Sequence, residues 1–161
     1  MRIYNRYLVE SYRYVGLKLT AEDIHKCLVR YAGWYGVYVK EFTFNSLRVD
    51  AAIIDTYKRW IRGFEIKVTR SDFLRDHKWE QYTEFTSSLT MVCPEGLIKP
   101  EEITKPFGLM YVNDHGTCRY VKKPMKFQNR GSLAWLYTYV KVIEKELPRL
   151  QHENNILRSK K

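Results

Sequence analysis

Residues 48–82 read RVDAAIIDTYKRWIRGFEIKVTRSDFLRDHKWEQY, and two strands followed by a helix can be drawn through them. Arg48 to Asp55 is rich in Val, Ala and Ile, and Gly63 to Thr69 alternates apolar with polar residues. Strand side chains point alternately to two faces, so Phe64, Ile66 and Val68 share one face and Glu65, Lys67 and Thr69 the other. A carboxylate and an ammonium therefore project side by side. Asp50, near the start of the preceding strand, brings a second carboxylate beside them. Ser71 is suited to cap a helix from Asp72 to Thr86, with Asp72 at the positive end of its dipole.

Working outward, Thr20 with Asp23 forms a helix-capping pattern, and Ile24, Cys27, Leu28 and Tyr31 recur at helical spacing. This predicts a helix over Ala21 to Ala32, stopped by Gly33 and Gly36. Val37 to Phe44 reads as a strand turning through Asn45-Ser46 into Arg48 to Asp55. Downstream, Leu89 to Cys93 is a strand closed by Pro94, and Pro100 to Thr104 is a loop or short helix. Gly108 to Val112 and Thr117 to Val121 form a closing strand pair around Asp114-His115-Gly116. From Ser132 a long C-terminal helix carries Leu133, Leu136, Tyr137, Val140, Ile143 and Leu147 on one face, and Pro148 ends or kinks it. Residues 1–19 are a basic, tyrosine-rich lead-in with no assignable structure, and 149–161 are a polar, frayed tail. The whole predicts a single α/β domain over residues 1–161, a mixed central sheet flanked by helices.

The 161 residues fit one compact domain, and 45% hydrophobic content is enough for a buried core. No apolar run reaches membrane-spanning length and the opening MRIYNRYLVESYRYVG holds no secretory core, so no membrane partner is expected. Cys27, Cys93 and Cys118 are odd in number and lack a CxxC pair, which argues against a disulfide framework or zinc site and for a cytoplasmic setting. The net charge is +10, from 28 Lys and Arg against 18 Asp and Glu. Such an excess favours a polyanionic partner, because phosphate contacts release condensed counterions.

Two carboxylates on adjacent strands suit a hard cation, since Mg²⁺ takes oxygen ligands and keeps several waters. Such a cation polarises a phosphodiester and lowers the pKa of a bound water. The neighbouring lysine would stabilise charge on a phosphorane-like transition state. If Thr43 pairs with Arg48, Glu41 lies opposite Asp50 and adds a third acid to the metal set; a one-residue shift removes it. On the second helix Leu74, Lys78, Gln81, Tyr82 and Phe85 share a face at 100° per residue, which points Lys78 at the acids or at a substrate phosphate. Arg48, Arg70, Lys78, Gln81, Trp79 and Tyr82 surround the acids and are the candidate nucleic-acid contacts, although core is the safer reading of Trp79. Asp72 and Asp76 read as helix-start residues. None of the four histidines has zinc-like spacing.

RVDAAIID followed by FEIKVTRSDFLRDHKW and QY resembles the PD-(D/E)XK nuclease superfamily, and within it the MmcB-like DNA-repair proteins. The resemblance lies in an Arg-x-Asp strand, a Glu-x-Lys strand and a helix opening Asp-Phe with a later Asp-x-Lys-Trp and Tyr. These fall on Arg48, Asp50, Glu65, Lys67, Asp72, Phe73, Asp76, Lys78, Trp79 and Tyr82. Ala51 and Ala52 follow Asp50 and no proline precedes it, a departure within the range of this loosely defined superfamily. The resemblance implies a restriction-endonuclease-like αβββαβ core. It also implies Mg²⁺ or Mn²⁺ on Asp50, Glu65 and the Ile66 carbonyl, Lys67 as the catalytic lysine, and Glu22 in the first helix as a further outer acid; Lys78, placed by the helix face alone, would assist. The implied function is hydrolysis of DNA, single-stranded or branched DNA included, in repair, recombination or mobile-element processing, by a monomer or a homodimer. A non-catalytic nucleic-acid or protein-binding module on the same fold, and a nuclease acting on RNA, fit the same residues.

Overall fold

The computed structural model describes residues 2–3, 18–33, 35–44, 46–55, 57–76, 78–127 and 140. The long helix expected from Ser132, the tail and most of the lead-in lie outside these residues.

Thr20 caps α1 (Ala21–Ala32) through a reciprocal capping box: its hydroxyl accepts from the Asp23 backbone N–H, and the Asp23 carboxylate accepts from the Thr20 N–H. Gly36 then turns the chain into the sheet. Its φ is +152°, and a Cβ there would lie 2.2 Å from the Ile54 carbonyl oxygen, so only glycine lets the turn approach the neighbouring strand.

Among the described residues the sheet has seven strands in chain order: β1 (Arg2–Ile3), β2 (Val37–Phe44), β3 (Leu47–Asp55), β4 (Trp60–Ile66), β5 (Ser88–Pro94), β6 (Gly108–Val112) and β7 (Cys118–Lys122). The neighbours run antiparallel from β1 through β4, parallel across β4–β5–β6, and antiparallel again for β6–β7. Between β4 and β5 lie α2 (Arg70–Arg75) and a 3-10 turn, Trp79–Glu84. The sheet is thus covered on both faces. Ile24, Cys27 and Leu28 of α1 pack with Tyr38, Ile53, Phe64 and Ile66, while Phe73, Tyr82 and Phe85 pack with Val39, Ile54, Ile61 and Leu89. A mixed α/β fold with a sheet flanked by helices is therefore observed, as the sequence predicts. Among the described residues no helix is long and apolar enough to cross a membrane.

The helix expected over Asp72 to Thr86 is corrected. Thr69, not Ser71, caps α2, and the helix stops at Arg75. Asp76 is extended at φ −91°, ψ 118°, and the chain restarts as the 3-10 turn at Trp79. The shared face of a continuous helix is lost with it: Leu74 is 57% exposed and Lys78 and Gln81 face solvent, while Tyr82 and Phe85 are buried.

Candidate active site

The strands β3 and β4 pair from Asp55↔Trp60 as far as Ala51↔Phe64 and then separate. On its other side β4 stays paired with β5 up to Ile66↔Val92, and the Lys67 N–H continues that ladder to the Val92 carbonyl at 2.9 Å. The Ile66 N–H therefore faces a gap in which β3 offers no carbonyl. Asp50 fills it: its carboxylate accepts the Ile66 N–H at 2.8 Å. A strand residue's N–H and C=O point to the same side, so the Ile66 carbonyl faces the same gap.

The alternation along β4 holds as expected. Phe64 and Ile66 enter the core beneath α1 with Val68 packed against it, and Glu65 and Lys67 project to the side covered by α2. Gly63 lies two residues before Glu65 on that side. A Cβ there would come 2.9 Å from Thr86 Cγ2 and 3.0 Å from Leu89 Cδ1, so the chain closing over the site sits directly on the strand.

Lys67 is 4% exposed, and its ammonium is 3.3 Å from Glu65 Oε1 and 2.6 Å from Asp76 Oδ2. Glu65 is 6% exposed, and its second oxygen, Oε2, is buried without a hydrogen-bond partner. Burial and the Asp50 charge push the Glu65 carboxyl up to about 7, against the pull of Lys67. Burial also raises Asp50, opposed by the Ile66 N–H, Lys67 and Arg48. Burial would lower Lys67, but the Asp76 hydrogen bond and the Glu65 charge outweigh it and hold the ammonium at about 12. Asp76 is the mirror case. Burial raises it, yet hydrogen bonds from Lys67 and the Lys78 backbone N–H bring it below the ordinary carboxylate range. Tyr82, 6% exposed, completes the surround: burial and the nearby charges of Glu65, Asp76 and Asp50 lift its phenol to about 12.

Asp50, Glu65 and Lys67 are thus brought together, with Asp76 added. Sequence reasoning placed Asp76 at a helix start. The signal for it was present in the Asp-x-Lys-Trp pattern but was hidden by reading one continuous helix. Other expected members do not converge. Glu41 does stand opposite Asp50 in the count of the ladder, since Lys40↔Ala51 and Phe42↔Val49 pair on either side. Its backbone is left-handed, at φ 51°, and its half-exposed carboxylate pairs with Arg48 at 3.7 Å. Glu22 pairs with Lys40 at 2.5 Å. Lys78 is exposed and makes its hydrogen bond to Asp76 through the backbone, so its expected place on a face packed over the acids is corrected.

The candidate nucleic-acid contacts divide by burial. Arg48, Lys78 and Gln81 are exposed. Arg70 is exposed too but committed to a two-pronged pair with Glu102, whose carboxyl it holds near 2. Trp79 is half-buried, stacked on Phe73 at 5.4 Å and edge-on to Phe107 at 6.0 Å, and Tyr82 is in the core. Trp79 is thus a packing residue, the preferred of its two readings, and Tyr82 is corrected from a candidate nucleic-acid contact to a packing residue.

Whether a divalent cation fits can be judged from the donors. Two carboxylates, one with an unpartnered buried oxygen, and a backbone carbonyl facing the same gap make an oxygen-only set, and Mg²⁺ needs no more than one or two carboxylates beside its waters. No group of three or more His, Cys, Asp or Glu side chains placed to hold a metal occurs among the described residues, so waters would have to supply the rest. The residues fit on those terms.

No family model matches the chain, and no curated protein does. Its structure is similar to that of a protein of unknown function from Silicibacter pomeroyi, at 24% identity and a TM-score of 0.60, covering 73% of this chain and 78% of that one. At that identity the likeness concerns the fold alone.

Proposed function

We propose that this chain is a Mg²⁺- or Mn²⁺-dependent nuclease of the PD-(D/E)XK kind that hydrolyses DNA phosphodiester bonds. The observation that carries the reading is the gap between β3 and β4, where Asp50, Glu65 and Lys67 meet and one Glu65 oxygen is buried without a partner. Buried polar atoms are satisfied in folded proteins as a rule, and an orphaned carboxylate oxygen beside a second carboxylate is suited to a cation. The chain order of helix, three antiparallel strands, helix and parallel strand supports the restriction-endonuclease-like αβββαβ core.

Asp50, Glu65 and the Ile66 carbonyl would hold the cation, which supplies charge neutralisation at the phosphate and an acidified water. Lys67 then places a fixed positive charge where the phosphorus centre gains negative charge. Asp76 orients Lys67 and keeps it protonated. The exposed Arg48, Lys78 and Gln81, and the net +10, draw in the polyanion.

The test is cleavage of labelled single-stranded, duplex and branched DNA, and of an RNA copy, in Mn²⁺ and in chelator. Cleavage of DNA in Mn²⁺ that Asp50→Asn and Glu65→Gln both abolish is the expected result. Equal cleavage by Asp50→Asn, or none of any substrate by the native chain, contradicts the reading, and cleavage of RNA alone reassigns the substrate.

A further inference from the structure

A cavity of about 280 Å³ opens at the opposite end of β4, lined in part by Tyr35, Lys58, Trp60, Arg62, Lys123 and Lys126. Trp60 and Arg62 alternate with Glu65 and Lys67, so they lie on the other face of the strand. From Arg62 to Glu65 is three residues, about 10 Å along the chain. The cavity is therefore separate from the acids, and the inference drawn from it does not rest on the proposed nuclease activity.

Its walls are held in place. Asp55, buried, takes the Arg62 guanidinium at 3.0 Å and the Lys58 backbone N–H at 2.8 Å, tying the β3–β4 turn to the cavity floor. The guanidinium also lies 4.8 Å from the centre of the Tyr35 ring, and Arg62 Nε is buried with no hydrogen-bond partner. The ammonium groups of Lys58 and Lys126 sit 5.3 and 4.7 Å from the centre of the Trp60 ring. Both ammonium groups are therefore within about 10 Å of each other, close enough for one anion beside the Trp60 ring to be attracted by both. Among the described residues, none that lines the cavity is acidic. With Arg62 neutralised by Asp55, the three lysines leave the cavity strongly positive.

Aromatic walls accept the face of a nucleobase, and ammonium groups beside them accept a phosphate. The volume is near the lower end of the roughly 300–1,000 Å³ range of small-molecule sites. A lone phosphate would leave the tyrosine and tryptophan surfaces unused, and a neutral base the lysines. We infer that this cavity binds a nucleotide moiety, its base against the aromatic walls and its phosphate between Lys58 and Lys126. The same chemistry is offered by a free mononucleotide and by the terminal nucleotide of a strand.

Calorimetry on the full chain in chelator distinguishes these, using dAMP, deoxyadenosine, inorganic phosphate, and oligodeoxyadenylate with and without a 5′-phosphate. The inference expects dAMP to bind at least tenfold more tightly than deoxyadenosine or phosphate, and Lys58→Ala/Lys126→Ala to lose at least tenfold of that affinity. Tyr35→Ala should weaken dAMP while sparing phosphate. A 5′-phosphorylated oligonucleotide that matches dAMP assigns the site to strand ends, and one that fails to bind assigns it to free nucleotides. The inference is overturned if dAMP binds no better than phosphate, or if the double variant binds it unchanged. It is also overturned if Asp50→Asn, at the other end of the strand, abolishes the binding.

Discussion

Glu65 shows what the proposed site demands of single residues. It is 6% exposed, one of its oxygens has no partner, and a second carboxylate stands beside it. Its carboxyl is raised from an ordinary 4.5 to about 7, so folding favours the protonated form. A carboxyl raised in this way contributes its stability in full below about pH 4.5 and loses it as pH climbs through about 7. Glu65→Gln, which removes that charge, should raise the melting temperature of the metal-free protein at pH 8 and change it little at pH 5. Mn²⁺ should stabilise the native chain at pH 8 but not the variant. A glutamine variant less stable than native at pH 8 would show that the ionised carboxylate is well satisfied as it stands. Lys67 is the opposite case, a buried ammonium between Glu65 and Asp76. Lys67→Met leaves both acids without their cation, a loss of about 3–5 kcal/mol for a broken buried pair. Thermal unfolding measures it, and added Mn²⁺ should recover part. Cleavage by this variant should vanish while Mn²⁺ still binds, since the ammonium is no ligand; retained cleavage would remove Lys67 from its role.

The element that decides the site's shape is the break between α2 and the 3-10 turn. The helix ends just before Asp76, whose backbone is extended and whose carboxylate lies 2.6 Å from the Lys67 ammonium. Lys78, carried outward by the same break, should matter little. Lys78→Met is expected to change stability by less than about 0.5 kcal/mol, as surface substitutions do. It should change cleavage only a few-fold, whereas Asp76→Ala lowers cleavage at least tenfold with Mn²⁺ affinity retained. A larger loss from Lys78→Met than from Asp76→Ala, measured side by side, would reverse this assignment. The break also marks where sequence reading ends. The limits of α1 and β2, the facing of Glu65 and Lys67, and the Thr43↔Arg48 register were all legible, because capping patterns and period-two alternation are local. The stop at Arg75 was not, because Leu74, Lys78, Gln81, Tyr82 and Phe85 do fit a helical period. What overrides that period is a contact with Lys67, nine residues earlier in the chain. Glu41 stands opposite Asp50 as the conditional Thr43↔Arg48 pairing would place it, but its backbone is left-handed, which no pattern announces, and its carboxylate pairs with Arg48.

At the scale of the molecule, one sheet carries two separate chemical environments. The acids gather on the α2 side where β3 and β4 part, and the lysine-rich cavity lies at the far end of β4 on the α1 side. With a net charge of +10, binding to DNA should weaken steeply as salt rises from about 50 to 200 mM, in proportion to the phosphates contacted. Anisotropy of labelled DNA in chelator reads this directly, and an affinity indifferent to salt would mean that the charge excess serves something else. The proposed activity depends on the cation that Asp50 and Glu65 are proposed to share. Calorimetric titration of Mn²⁺ into the metal-free chain and into Asp50→Ala tests it most directly. The prediction is binding by the native chain that weakens at least tenfold in the variant. Equal affinity in both would contradict it.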